Sequence, residues 1–322
     1  MDIHHSIQKF DTQPIGLDAV ARRAIDGRAK NRMAGLPPVV EGHPAGFYQP
    51  RFGNVPKEPQ MKQLTNAYNV YSADVVKQGG QLVMYCGGWM SEADIPHDGI
   101  YRAVMPSYKS VTKWDKVLAA GTLYQINDPV LVHMNGYWIM YLTGNSSFDP
   151  EHPINDIYYS TSWDGIGWGT PSLLVRGFAF ASATLCGGRV FLCATSVYGA
   201  AWVYRFDLGV SGVEVGAPVM LTFPQLAYGY INIDVAYHPS INLWQMVAEN
   251  LQGGGMSSTQ IDYLYSWDGL FWSMGQAGII RAAAGSSVRT PSMHPDSAYY
   301  VYYANSPTRD GMGNNVWFKD WS

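Results

Sequence analysis

The chain has little charge. Asp, Glu, Lys and Arg make up only 14% of its 322 residues, against roughly a quarter in an average globular protein. The formal net charge is −4, so the basic excess that would attract a polyanion is missing. The composition therefore predicts that the protein has no nucleic-acid partner.

Cysteine and long apolar runs are also scarce. Cys86, Cys186 and Cys193 follow no framework spacing, which excludes a disulfide scaffold and predicts buried free thiols. No apolar run approaches the roughly 18 residues that a membrane-spanning helix needs, so we expect no membrane insertion. The opening MDIHHSIQKFDTQ has no apolar core of a secretory signal, and we expect the chain to be made and folded in the cytoplasm.

Aromatic residues and glycine are abundant, with 22 Tyr, 11 Trp and 34 Gly, and this composition favours short strands and tight turns. Five strand-like runs share one pattern: QLVMYCGGW, YWIMYLTGN, RVFLCATSV, LWQMVAEN and AYYVYYANS. Their matching residues are Met84, Met140, Leu192, Met246 and Tyr302, which are 56, 52, 54 and 56 residues apart. Because another strand-like segment precedes each run and a third follows most of them, the chain contains five repeats of about fifty residues.

Five units of three or four antiparallel strands predict an all-β fold, a five-bladed β-propeller with an extended or helical N-terminal arm. Radial stacking lets each sheet cover its neighbour, which a lone four-stranded sheet cannot do. The predicted domains are the arm and linker, 1–44, and the propeller, 45–322. The blades are expected at about 66–120, 121–178, 179–226, 227–284 and 285–322, and a strand at 45–52 is expected to close the last one.

One phrase occurs twice, as SWDGIGW at 162–168 and as SWDGLFW at 266–272. Its Asp-Gly pair predicts a turn in which Gly adopts a positive φ. Its final Trp is expected to begin the fourth strand of a blade. We interpret Trp163 and Trp267, the Trp of each WDG, as packing between blades rather than as platforms for a sugar.

Residues 1–44 do not share the repeat. Apolar residues fall at helical spacing in this arm, with basic residues among them, which fits either a frayed basic tail or an arm that docks on a neighbouring subunit. The residues predicted to dock are Leu17, Val20, Arg22, Arg23, Ala24, Ile25 and Arg28. Four of the five loops that join second to third strands are long, and their rim is a second candidate docking surface.

The first strands carry polar residues that would face the central channel of a propeller. Asp74, Asp128, Ser182, Asp234 and Thr290 align at spacings of 54, 54, 52 and 56 residues. The three carboxylates, together with Arg289, predict a binding site for a sugar or a cation. Alternatively, the carboxylates accept backbone N–H bonds at turns. The sequence contains no motif for a cofactor or a metal site, and we predict neither.

The segment NDPVLVHMNGYWIMYL followed by IYYSTSWDGIGW resembles the five-bladed furanosidase and arabinanase propellers of glycoside hydrolase families 43 and 32. The resemblance implies an Asp on the first strand of blade one, an Asp-Pro pair in blade two and a Glu in blade three. Asp74 matches the first place and Asp128 the second. The third place falls in FASATLCGG around Ser182, where the sequence has no carboxylate.

A carboxylate from elsewhere could replace the missing Glu. Glu249 is the best candidate because it ends a strand and is therefore held more rigidly than a loop residue. Glu92 and Glu151 lie in the rim loops. If the protein is a glycoside hydrolase, its catalytic residues are accordingly expected to be Asp74, Asp128 and Glu249.

Three hypotheses for function follow. The first is a non-catalytic propeller that is a structural subunit of a large assembly, most simply a phage virion tail protein in a homo-oligomeric ring, because such proteins lack a signal peptide. Its partners would be other protein subunits, bound through the arm and the rim. The alternatives are a furanosidase-like glycoside hydrolase and a carbohydrate-binding propeller that holds a surface glycan at the central channel.

Overall fold

The computed structural model describes residues 60–91, 93, 98–146, 155–197, 202–224, 229–251, 259–295, 297–307 and 313–320. Within them, twenty strands form five four-stranded antiparallel sheets. The first strands of neighbouring sheets lie against one another, so that they surround a central channel. The protein is an all-β, five-bladed β-propeller, as the repeat predicts. The predicted arm and its docking residues lie outside the described residues.

The blades are numbered in chain order, and their strands run from the channel outward. Blade 1 consists of β2 (Asn69–Gln78), β3 (Gln81–Trp89), β4 (Gly99–Met105) and β5 (Asp115–Ala119). Blade 2 consists of β6 (Gln125–Met134), β7 (Tyr137–Asn145), β8 (Asn155–Ser162) and β9 (Ser172–Arg176). Blade 3 consists of β10 (Phe178–Cys186), β11 (Arg189–Ser196), β12 (Val203–Asp207) and β13 (Val219–Met220). Blade 4 consists of β14 (Tyr230–His238), β15 (Leu243–Asn250), β16 (Gln260–Ser266) and β17 (Ser273–Arg281). Blade 5 consists of β18 (Ser287–His294), β19 (Ser297–Ser306), β20 (Asn315–Asp320) and β1 (Gln60–Gln63).

The outermost strand of blade 5 therefore comes from the N-terminal side of the ring. β1 pairs antiparallel with β20, with Gln60 opposite Asp320 and Gln63 opposite Trp317. The next residue continues the contact, since the N–H of Leu64 donates to the carbonyl of Val316 at 2.8 Å. This corrects the prediction that segment 45–52, which lies outside the described residues, closes the ring. The open edge of β20 needs backbone partners, and the polar sequence QMKQ supplies them without any apolar pattern that could identify it.

The apolar core is divided into five clusters, one in each seam between blades. In the seam between blades 2 and 3, for example, Ile139 and Tyr141 pack against Leu192 and Phe206. Each sheet is thus covered on both faces, which accounts for strands that are buried almost throughout. Burial of this kind is the main favourable term in forming the ring.

The repeated phrase forms two matching turns between third and fourth strands. In the first, Asp164 Oδ1 accepts the N–H groups of Ile166 and Gly167 at 2.8 and 2.9 Å, and Gly165 has a φ of 71°. Asp268 makes the same bonds in the second turn. The interpretation of Trp163 and Trp267 as inter-blade packing is wrong, since their side chains are 81% and 45% exposed. The turn is held by the Asp carboxylate, so it does not require these rings to pack.

Trp168 and Trp272, which end the two phrases, do pack between blades. Trp168 lies edge-on to Tyr85 of blade 1 with ring centroids 6.2 Å apart, and Trp272 belongs to the cluster between blades 3 and 4. Cys86 and Cys193 are buried free thiols, as predicted, whereas Cys186 is partly exposed. Among the described residues, no helix has the length and apolar character needed to cross a bilayer.

Candidate functional site

Each first strand contains a β-bulge near its start, at the end of the channel where the second strands finish. One non-glycine residue in each bulge has a positive φ, between 43° and 56°. We call these five residues the upper ring: Ser72, Asp128, Phe180, Asn232 and Thr290. A bulge re-aims the side chains that follow it, and bulky residues rarely adopt a positive φ. The upper ring is therefore a strained feature that all five blades share.

The bulges correct the alignment of the channel residues. Two positions after the upper ring lies a second set of equivalent residues, which we call the lower ring: Asp74, Val130, Ser182, Asp234 and Ser292. The sequence spacing predicted that Asp128 and Thr290 are equivalent to Asp74 and Asp234. This prediction is wrong, because Asp128 and Thr290 belong to the upper ring and Asp74 and Asp234 to the lower ring. The place equivalent to Asp128 in blade 1 is held by Ser72. The equivalent residues are 56, 52, 52 and 58 apart, and this uneven spacing conceals a shift of two residues, because both positions are rich in polar residues.

A cavity of about 40 Å³ is lined by members of both rings, and among them are Asp74, Asp128 and Asp234. The structure thus places the three predicted carboxylates around one cavity. Arg289 precedes Thr290 on β18 and is partly buried, but the cavity lining does not include it. The described part of the chain contains no group of His, Cys, Asp and Glu arranged to hold a metal ion.

The lower ring joins adjacent blades. Asp74 Oδ2 accepts the N–H of Leu131 in blade 2 at 2.7 Å, and Asp234 Oδ2 accepts the N–H of Met293 in blade 5 at 2.7 Å. Ser182 receives the N–H of Val235 at 2.8 Å and donates to Asp234 Oδ1 at 2.9 Å. Asp74 and Asp234 thus accept backbone N–H bonds, as the alternative predicted, but the bonds cross seams, so the prediction that these carboxylates cap turns is wrong for both.

Burial makes the lower-ring carboxylates weak acids. It raises the pKa of Asp74 to about 8, and the nearby charge of Asp234 adds to the rise. Burial also raises the pKa of Asp234, against the lowering effect of its hydrogen bonds from Met293 and Ser182. A carboxyl group whose charged form is desolvated in this way stays protonated to a higher pH.

The upper ring carries a second network that crosses the seams. Ser72 donates its hydroxyl to Asp128 Oδ1, and its N–H donates to Thr290 Oγ1 at 3.0 Å. Burial raises the pKa of Asp128, and the hydrogen bond from Ser72 and the nearby hydroxyl of Thr143 partly offset that rise. Asp128 Oδ2 is buried and has no hydrogen-bond partner among the described residues. Phe180 is the aromatic member of the ring and also lines the cavity.

Glu249 adjoins the upper ring from the end of β15. Its side chain is fully buried, and Oε2 accepts the amide of Asn232 at 2.6 Å and the N–H of Thr290 at 3.2 Å. Oε1 is buried and has no partner in the described part of the chain. Burial raises the pKa of Glu249 to about 7, the positive charge of Arg289 and the two hydrogen bonds lower it, and the charge of Asp128 raises it. Glu249 and Asp128 are thus electrostatic neighbours.

Blade 3 has no carboxylate at the place equivalent to Glu249. Pairing with the first strand puts Thr195 of β11 in that place, opposite Ala179, as Glu249 is opposite Ile231. Glu92 and Glu151 lie outside the described residues. Of the residues predicted for catalysis, the structure brings Asp74 and Asp128 to the cavity and sets Glu249 beside the upper ring.

Sequence reasoning missed a cluster in the seam between blades 1 and 2. Tyr71 Oη donates to Asp98 Oδ2 at 2.5 Å, and the amide nitrogen of Asn127 lies 3.3 Å from both oxygens. Tyr71 and Asn127 directly precede the upper-ring residues of their blades. In the sequence, Asn127 could have been noticed only because it precedes the Asp-Pro pair. No sequence pattern pointed to Asp98.

No family model matches the chain, and no curated protein matches it. Its fold is similar to that of solved carbohydrate-active enzymes. An arabinanase from Bacillus subtilis aligns with a TM-score of 0.60 and 12% identity, over 80% of this chain and 96% of that one. A β-xylosidase aligns with a TM-score of 0.62 and 13% identity, over 82% and 94%. An α-L-arabinofuranosidase of glycoside hydrolase family 62 from Coprinopsis cinerea aligns with a TM-score of 0.57 and 12% identity, over 79% and 91%.

These similarities define the class of the fold. The chain is a five-bladed β-propeller that resembles glycoside hydrolases of families 43 and 62 at low sequence identity. An N-acetylgalactosamine deacetylase from F. plautii, solved with blood group B trisaccharide, aligns with a TM-score of 0.63 and 12% identity, over 82% of this chain and 94% of that one. Different chemistries therefore occur on similar folds, so the activity has to be argued from the residues of the site.

Proposed function

We propose that the protein is a carbohydrate-binding propeller, in which a sugar docks at the upper-ring end of the channel. The observation that carries this proposal is a pair of buried carboxyl oxygens without hydrogen-bond partners in the described chain, Asp128 Oδ2 and Glu249 Oε1. A buried acceptor left unsatisfied costs about 1–3 kcal/mol, and native proteins supply such groups with a water or a ligand. Sugar hydroxyl groups are donors that fit this need.

The composition of the upper ring supports a sugar over other small molecules. Four of its members are polar and the fifth, Phe180, offers an aromatic face. Sugars combine hydroxyl groups with apolar C–H faces, so they bind well where polar groups surround an aromatic ring. The similarity of the fold to arabinanases and xylosidases supports the same class of ligand.

The size of the cavity supports docking at its mouth. A volume of about 40 Å³ has room for roughly three waters, at ~10–15 Å³ each. It can admit a hydroxyl or hydroxymethyl group, whereas the sugar ring stays outside against Phe180. The ligand expected from this geometry is a terminal sugar or a side branch of a glycan.

Binding of neutral oligosaccharides, measured by titration calorimetry, tests the proposal. We expect at least one of arabinotriose, xylotriose and galactotriose to bind, and Asp128→Asn to weaken that binding by roughly 10- to 100-fold, as loss of a hydrogen bond to a charged group predicts. Asp207→Asn is the matched control, because Asp207 pairs with Arg189 away from the channel and should leave affinity unchanged. Failure of all three sugars to bind contradicts the proposal.

Glycoside hydrolysis is a second candidate, favoured by the state of Glu249. The pKa of Glu249 is about 7, which suits a general acid at neutral pH. Asp128 is near enough for its charge to raise that pKa. In this reaction Glu249 would protonate the leaving oxygen while Asp128 activated a water or attacked the sugar. Release of nitrophenol from an aryl arabinofuranoside or xyloside, abolished in Asp128→Asn, would establish it, and Glu249→Gln should abolish hydrolysis of an arabino- or xylo-oligosaccharide, whose leaving oxygen needs the proton. If a sugar binds and is not hydrolysed, the protein binds carbohydrate without catalysis.

A further inference from the structure

The seam between blades 1 and 2 contains a short chain of hydrogen bonds beside the upper ring. Tyr71 Oη donates to Asp98 Oδ2 at 2.5 Å, and the Asn127 amide donates to both oxygens at 3.3 Å. Asp98 is only 2% exposed. Burial, followed by the charges of Asp98 and Asp128, raises the pKa of Tyr71 well above its usual value, so its phenol keeps the proton that it donates.

This chain fixes the direction of the Asn127 amide. Both atoms that face its nitrogen, Tyr71 Oη and Asp98 Oδ2, are acceptors, so an amide turned by 180° would set oxygen against oxygen. Asn127 Oδ1 therefore has to lie on the other side. That oxygen is buried and makes no hydrogen bond to the described residues, as is true of Asp128 Oδ2 on the adjoining residue and of Glu249 Oε1.

We infer that Asp98 and Tyr71 are positioning residues that hold Asn127 as an acceptor, so that the upper-ring end of the channel selects neutral sugars through their donor hydroxyl groups. The inference rests on the proposed carbohydrate-binding function and adds the charge class of the ligand. Asn127 Oδ1 is an acceptor at any pH, as Asp128 Oδ2 and Glu249 Oε1 are while their carboxyl groups are ionised, and acceptors favour O–H donors. A carboxylate or sulfate group has no proton to donate, so it would set its oxygens against these acceptors.

The same contacts could instead serve only to anchor the segment that enters β4 at Gly99. That structural role predicts a loss of stability when the cluster is altered, with no change in the ratio of affinities for neutral and acidic sugars. Selectivity therefore separates the two roles, whereas thermal stability does not.

The test compares galactotriose with trigalacturonate, together with arabinotriose and xylotriose, on the full chain. For the wild type we expect at least one neutral trisaccharide to bind and trigalacturonate to bind at least tenfold more weakly. Asp98→Asn lets the residue at 98 offer an amide N–H to Tyr71, which frees the Asn127 amide to turn. We expect this variant to bind the neutral sugar about tenfold more weakly and to lose most of the discrimination against trigalacturonate.

Tyr71→Phe provides a second variant that removes one of the two acceptors without touching a charge, and it should shift the affinity ratio in the same direction. Tyr230→Phe is the matched control. It removes a comparable bond, from Tyr230 Oη to Asp262 Oδ2 at 3.0 Å, in blade 4, and should lower stability while leaving the ratio unchanged.

The outcomes separate the inference from the function beneath it. If the wild type binds neutral sugars and neither Asp98→Asn nor Tyr71→Phe changes the affinity ratio, the selectivity role is overturned and the carbohydrate-binding function stands. Equal binding of trigalacturonate and galactotriose by the wild type also overturns the inference. If no neutral sugar binds, both the inference and the proposed function fail.

Discussion

At the residue scale, the channel shows how one structural position can take different chemistry in each blade. Phe180 and Thr290 hold a positive φ, a conformation that costs such side chains roughly 1–3 kcal/mol. Because all five blades repeat this conformation, the strain belongs to the architecture of the bulge. What differs between blades is the side chain that the bulge presents, and this sets what the channel can bind.

The first prediction concerns Asp74. Its folded pKa of about 8 lies above the value of about 4 expected in the unfolded chain, so between these pH values the unfolded state binds fewer protons. The free energy of unfolding should therefore fall as the pH rises through that window. Asp74→Asn keeps an oxygen for the Leu131 N–H and removes the ionisation. We expect calorimetry to show its Tm rising relative to wild type from pH 5 to pH 8, by about 2–4 °C, the shift that ~1 kcal/mol causes in a domain of this size.

Asp207 provides a control of opposite sign. Although burial alone would raise its pKa, hydrogen bonds from Arg189 and the Gly209 N–H hold that pKa below its usual value. Asp207 thus contributes stability above the unfolded pKa, which is lost only as the pH falls into the acid range. Asp207→Asn should lower Tm at pH 8. A rise in Tm for both variants at pH 8 would show that the burial of Asp74 is not the cause.

The sequence allowed the channel carboxylates to be found but not placed. Asp74, Asp128 and Asp234 were predicted because polar residues at the start of each repeat stand out from their apolar neighbours. Whether a given Asp falls in the bulge or two residues beyond it depends on pairing with the second strand. Pairing is a tertiary property, and residue spacing does not report it. For the same reason Asp98 was missed, since it meets Tyr71 of its own blade and Asn127 of blade 2 only in the folded structure.

At the element scale, the strands that the sequence identified are those that carry both β-rich composition and a repeat. β3, β7, β11, β15 and β19 are the five matching runs, and all are the second strands of their blades. β1 was assigned to the wrong segment because QMKQ has neither feature. Its structure is imposed by β20, whose backbone would otherwise form an open edge.

The second prediction follows from this closure. Two truncated chains, one starting at Gln60 and one at Leu64, differ only by β1. We expect the chain that starts at Leu64 to unfold at a Tm at least about 2 °C lower, since loss of the strand exposes the edge of β20 and removes a series of backbone hydrogen bonds worth about 1 kcal/mol or more in total. Thermal melts followed by circular dichroism measure the difference. Equal melting temperatures would mean that β1 contributes nothing to holding the ring closed.

At the scale of the whole molecule, the five seams explain why the ring can be complete without the arm. Within the described residues, each blade is covered by its two neighbours. The apolar residues Leu17, Val20, Ala24 and Ile25, which lie outside the described residues, are predicted from their helical spacing to pack on another chain. This is the basis for keeping, as a prediction, the hypothesis that the protein is a subunit of a larger assembly, such as a phage tail.

The last prediction tests that hypothesis through the arm. A short helix is marginal by itself in water, whereas burying four apolar side chains against a second chain contributes at ~25 cal/mol per Å² of apolar area, less the cost of ordering the linker. We expect the full chain to form an oligomer by analytical ultracentrifugation, and a truncation that starts at Ala45 to remain a folded monomer. The full chain with Leu17→Asp and Val20→Asp should behave like the truncation, because charge at these two positions removes the apolar contact while the arm stays present.

The basic residues Arg22, Arg23 and Arg28 should make the oligomer weaker at high salt. If the truncated protein assembles at the same concentration and salt, the arm is not the docking element, and the long loops of the rim become the surface to alter next.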